Sequence, residues 1–134
     1  MAKLNLSVVT PHGAVVDTAA AQVDMPAARG EMGVLPDHQP GLIMLGGGLL
    51  TYTGGEGPGQ VYLRGGVAEV GPDRVLILTD EACLPGDVDR EHIEGVLDRS
   101  IRALDESEQL DEATSLRLNA DRRYAEAALK LGGN

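Results

Sequence analysis

Leu4, Leu6 and Val8 alternate with Asn5 and Ser7, the period of two that marks a strand with one buried face. Short apolar runs of this kind recur as far as residue 84. They predict nine strands: Leu4 to Val9, Ala14 to Thr18, Ala21 to Met25, Gly33 to Leu35, Leu42 to Leu45, Leu49 to Thr53, Gln60 to Leu63, Gly66 to Val70 and Val75 to Thr79. Pro11-His12-Gly13, Gly46-Gly47-Gly48, Gly54 to Gly59 and Gly71-Pro72-Asp73 punctuate them, and the two Gly-rich runs read as hairpin turns. Many short strands with no helix between them predict a β-sandwich or flattened barrel.

The period changes after Leu84-Pro85-Gly86, beyond which no further Pro occurs. Val88, His92, Ile93, Val96, Leu97, Ile101 and Leu104 fall at steps of three and four, one apolar helix stripe. Asp87 and Asp89 both suit its N-cap. Asp105 to Glu108 form an acidic connection. Leu110, Ala113, Leu116, Ala120, Tyr124, Ala127 and Leu131 then make a second stripe, stopped by Gly132-Gly133. The expected architecture is β + α: a sandwich over residues 1–84, then an antiparallel two-helix hairpin over residues 85–134. The second stripe is mainly Ala and Leu, so it offers little area to bury. This suits either a movable element or simple close packing of helices.

Composition narrows the chemistry. The 134 residues include no Trp or Phe, so the core must be aliphatic. The net charge of −10 is shared equally: residues 1–84 carry 4 basic and 9 acidic side chains, residues 85–134 carry 7 and 12. No basic stripe exists to bind nucleic acid or anionic lipid. The single Cys83 cannot make an internal disulfide, and MAKLNLSVVT has no leader pattern. No window approaches a membrane span. A soluble intracellular protein, expected to be bacterial, fits these features.

Catalytic patterns are missing. Neither Gly-rich run is followed by Lys-Ser/Thr or opens a helix, which excludes a P-loop. His12, His38 and His92 have no metal-ligand spacing among themselves or with Cys83. Asp37-His38 with Ser7 or Ser100 lacks the G-x-S-x-G elbow of a hydrolase. The most distinctive stretch is Gly30 to Pro40, GEMGVLPDHQP. Pro36 and Pro40 bar Asp37 to Gln39 from the middle of a sheet, so Asp37 and His38 belong on a stiff edge or tip suited to binding.

That stretch resembles the loop of the epsilon subunit of F-type ATP synthases. Arg64 to Val70 (RGGVAEV), Val75 to Ala82 (VLILTDEA) and the two-helix tail resemble the same family in the same order. The resemblance implies ten strands, one more than the residues themselves show. It implies a non-catalytic rotor subunit of the proton-translocating enzyme, peripheral on the cytoplasmic face of the bacterial membrane. Its partners would be the gamma subunit and the c-subunit ring, with the alpha/beta catalytic head reached by an extended hairpin. It places Glu31, Gly33, Pro36, Asp37, His38 and Arg64 at the gamma and c-ring contacts; the alternative for Gly30 to Gly33 is a solvated turn. The hairpin would oppose ATP hydrolysis through a basic face of Arg117, Arg122, Arg123 and Lys130, unless these pair with Glu126 or Asp121. Some members bind ATP through an Asp followed by Arg-Ala. Here Asp89 is kept, but His92 and Ile93 replace Arg and Ala, which predicts weak or absent ATP binding and no resident cofactor. The alternative is a nucleotide-sensing module of the same architecture.

Overall fold

The computed structural model describes residues 3–54, 59–106 and 109–131. Ten strands are followed by two helices: β1 Leu4–Thr10, β2 Gly13–Ala20, β3 Gln22–Ala27, β4 Gly30–Val34, β5 Gly41–Leu45, β6 Gly48–Thr53, β7 Gly59–Leu63, β8 Gly66–Val70, β9 Arg74–Leu78 and β10 Ala82–Cys83, then α1 Arg90–Glu106 and α2 Glu112–Leu131. The nine strands read from the pattern are present. The tenth is β10, two residues pairing with Tyr62 and Leu63 of β7, and the preceding strand ends at Leu78.

The strands form one sheet in the order β10-β7-β6-β3-β5-β8-β9-β1-β2, with β4 on the other edge of β3. It closes on itself around Leu4, Leu6, Val8, Val23, Met25, Val34, Leu50, Val61, Leu63, Ile77 and their neighbours. The alternation of β1 is kept: Leu4, Leu6 and Val8 are buried while Asn5 is exposed. All strand pairs are antiparallel except β1 with β9, which the intervening strands separate in sequence.

Gly46 to Gly48 is not a hairpin turn. Ala27 pairs with Leu45 of β5 and Asp24 with Thr51 of β6, while β4 occupies the other edge of β3. Residues 41–53 therefore follow one bent path along β3, and the glycines form its corner. Gly54 to Gly59 does join a paired hairpin, β6 and β7, although its middle lies outside the described residues. So do the end of the Asp105–Glu108 connection, the Leu131 side chain and the Gly132-Gly133 stop.

The helices begin on aspartates. Asp89 caps α1, its Oδ1 accepting from the His92 amide at 3.3 Å, which decides between the two candidates. Asp111 caps α2, accepting from the Thr114 amide at 2.7 Å. These hydrogen bonds hold the Asp111 carboxyl below its ordinary value. No helix among the described residues is long and apolar enough to cross a membrane.

Candidate functional site

Helix α2 lies against β6 and β7 of the sandwich and against α1. Its closest approach is at Ala120. Gly47 has φ +79°, and a Cβ there would fall onto the Ala120 carbonyl. A Cβ on Gly65 would come 3.2 Å from that of Ala120. The two glycines thus cut a notch in the sandwich into which the helix backbone sinks. Farther along, Tyr124, Ala125 and Ala128 are buried with Ile93 and Val96 of α1 and Tyr62 of β7.

Strand β7 is consequently buried on both faces. Val61 and Leu63 point into the sandwich core, and Tyr62 points under the helices. This explains three successive buried residues in a strand, which alternation alone would not give.

Polar side chains in this seam converge on Glu81, between β9 and β10. Tyr124 donates its hydroxyl to Glu81 Oε2 at 2.7 Å. His92 of α1 places Nε2 2.9 Å and 3.0 Å from the two carboxylate oxygens, a contact that needs the proton on Nε2. Arg64 donates to Glu81 Oε1 at 3.1 Å and to Asp121 of α2 at 2.9 Å. One sandwich carboxylate therefore touches both helices, and one sandwich guanidinium bridges it to α2. Burial acts to raise the Glu81 carboxyl. Hydrogen bonds from Tyr124 and His92, with the charges of His92 and Arg64, outweigh it, and the group titrates below the ordinary carboxylate range. Its bond to Asp121, first among several causes, fixes Arg64 more firmly in its charged form. Burial pushes the Cys83 thiol up, and its sulfur lies 3.6 Å from the Tyr124 hydroxyl.

The residues grouped from the Gly30–Pro40 loop do not form one cluster. Asp37, exposed and at φ 69°, donates its amide to the Pro72 carbonyl at 2.7 Å. With Pro36 and His38 it lies near the end of β5 where Gly41 pairs with Val70. His38 is half-buried, its Nδ1 2.8 Å from the Gln39 carbonyl. Glu31 and Gly33 lie along β4, opposite Pro26 and Asp24 and toward the other end of β5. Arg64 lies apart from that loop and is engaged under α2 with Glu81 and Asp121.

The basic face of α2 also breaks up. At about 3.6 residues per turn only Arg123 and Lys130, seven apart, share a side. Arg117 lies elsewhere around the helix. Arg122 pairs with Glu126 at 3.1 Å and with Asn119, as the solvated alternative anticipated. The buried stripe shifts as well. Leu118, Ala125 and Ala128 are buried, whereas Leu116 is 40% exposed. Alanines on several sides of α2 left its phase ambiguous, and contact with both α1 and the sandwich settled it.

Near Leu116 the helix stands away from the sheet. Grooves of about 670 Å³ and 720 Å³ open there, both lined by Met44, Ala113 and Leu116. The outer sheet surface beyond is apolar. Met44 pairs with Val67, Val67 with Leu78 and Leu78 with Val9, a row across β5, β8, β9 and β1. Leu42, Met44 and Leu78 on this surface are 74%, 60% and 46% exposed.

No group of three or more His, Cys, Asp or Glu that could hold a metal is found among the described residues. Glu81 and Arg64 together tie both helices to the sandwich.

Residues 3–85 match the family model for the β-sandwich domain of the ATP synthase delta/epsilon chain. An ATP synthase epsilon chain of Moorella thermoacetica is 38% identical over 135 residues, covering 99% of this chain and 98% of the relative. That of Solibacter usitatus is 38% identical over 130 residues, covering 95% and 97%. Among solved structures, a chain of the Euglena gracilis mitochondrial ATP synthase, in an assembly of OSCP, F1 and c-ring, is similar with a TM-score of 0.62 at 28% identity. The match covers 98% of this chain and 78% of that one.

Proposed function

The chain belongs to the delta/epsilon family of ATP synthase chains, and from that premise we propose that it is a non-catalytic central-stalk subunit whose hairpin regulates ATP hydrolysis. The observation that carries the regulatory part is the seam. Its helix is seated on glycines and alanines, and both helices are pinned to one carboxylate. Such an attachment can be broken without disturbing the aliphatic core of the sandwich.

The apolar row on β5, β8, β9 and β1 is the surface offered to the gamma subunit. Leu42, Met44 and Leu78 are too exposed and too close together to be scattered surface residues. The c-ring contact falls to the Pro36–His38 tip, where charged groups give register more than affinity, and Glu31, toward the other end of β5, is a separate point of contact. This arrangement holds the subunit at the cytoplasmic face of a bacterial membrane through its partners. ATP is bound weakly or not at all, since His92 faces Glu81 and supplies no fixed positive fork for phosphate.

The test is a chain lacking residues 86–134, reconstituted with the other subunits. Assembly should be retained, and ATP hydrolysis should rise several-fold. Unchanged hydrolysis with intact assembly would remove the regulatory role.

A further inference from the structure

Two tyrosines enter the seam from opposite sides, and neither retains contact with solvent. Tyr124 comes from α2 and gives its hydroxyl hydrogen to Glu81. Tyr62 comes from β7, between Leu49 of β6 and Cys83 of β10, and packs under Ile93, Val96, Ala125 and Ala128. Its hydroxyl oxygen is buried and has no hydrogen-bond partner among the described residues. Burial also pushes the phenol up, so ionisation gives the group no other outlet.

A hydroxyl removed from water without a new partner is unfavourable, whereas a satisfied one is roughly neutral to helpful. The unfavourable term exists only while the hairpin covers the ring. When the helices leave, Tyr62 faces solvent, because the sandwich core is filled by Val61 and Leu63 on the other side of β7. Its hydroxyl is then hydrated. The effect is thus on docking and not on the stability of the sandwich.

We propose that the Tyr62 hydroxyl is a built-in opponent of hairpin docking, set against the Tyr124–Glu81 bond that favours it. The ring fills the seam, while the hydroxyl leaves the docked state weaker than a phenyl group would make it. This rests on the reading that the hairpin moves.

The experiment compares the full-length chain with Tyr62→Phe and Tyr124→Phe. The readouts are amide hydrogen exchange in α1 and α2 and the rate at which Cys83, the sole thiol, reacts with a labelling reagent. Tyr62→Phe should slow both by about 5- to 100-fold, with exchange in β1 and β9 unchanged. Tyr124→Phe should accelerate them several-fold. Unchanged or faster opening in Tyr62→Phe overturns the proposal, because it would mean that the hydroxyl is satisfied in the docked state. Hydrolysis by the reconstituted complex is scored separately. Slower opening without relief of inhibition would leave the Tyr62 inference standing and remove the regulatory reading.

Discussion

Inside the sandwich, Leu4, Leu6, Val8, Leu50, Leu63 and Ile77 close on one another as aliphatic side chains. Between the sandwich and the hairpin, Tyr62, Tyr124 and three small alanines share the space with Glu81, His92 and Arg64. The first region gains about 1.5–3 kcal/mol for each large apolar side chain it buries, and nothing in it can be exchanged for water. The second also buries Tyr62, Tyr124, Ile93 and Val96, but it sets them among alanines and joins the parts with hydrogen bonds worth about 1 kcal/mol net, because water offers much the same bonds to the separated partners. The two regions share β7, whose faces belong one to each. On the proposed function, this difference is what lets one small chain carry a permanent part and a detachable one.

The contrast can be broken most strongly from the sandwich side. Leu50→Ala should lower global stability by about 2–5 kcal/mol, measured by chemical denaturation, because it opens a cavity among residues with no other neighbours to close it. A loss confined to the helices would contradict the division between the two clusters. Next comes Gly47→Ala, which combines a left-handed backbone with a methyl group placed on the Ala120 carbonyl. It should cost hairpin docking about 3 kcal/mol, read as faster exchange in α2 with an intact sandwich spectrum.

The smallest effect, and the most specific, concerns Glu81. Its docked carboxyl lies below the ordinary range, so its contribution is present at neutral pH and disappears as the pH falls through that lowered value. Glu81→Ala should weaken docking by about 2 kcal/mol at pH 7 and flatten this acid limb. An unaltered pH profile of helix exchange would show that Glu81 is not the centre of the seam.

Much of this is legible in the sequence alone. Nine strands followed from alternation and turn residues, and the family from the Gly30–Pro40 stretch with the segments after it. The tenth strand was invisible because Ala82-Cys83 is two residues long and has no period. The corner at Gly46–Gly48 looks in sequence like any turn; only the pairing of β3 with both β5 and β6 distinguishes it. Glu81 carried no local mark, since its partners Arg64, His92 and Tyr124 lie 17, 11 and 43 positions away.

Periodicity by itself determined that this chain has an aliphatic sandwich and two amphipathic helices, because burial of one face imposes periods of 2 and 3.6 on the residues that supply it. Tertiary structure alone decided how they meet. Which side of an alanine-rich helix turns inward, which glycines admit it and which carboxylate receives its tyrosine depend on contacts between distant residues. Those contacts impose no period, so a linear pattern has nothing with which to record them.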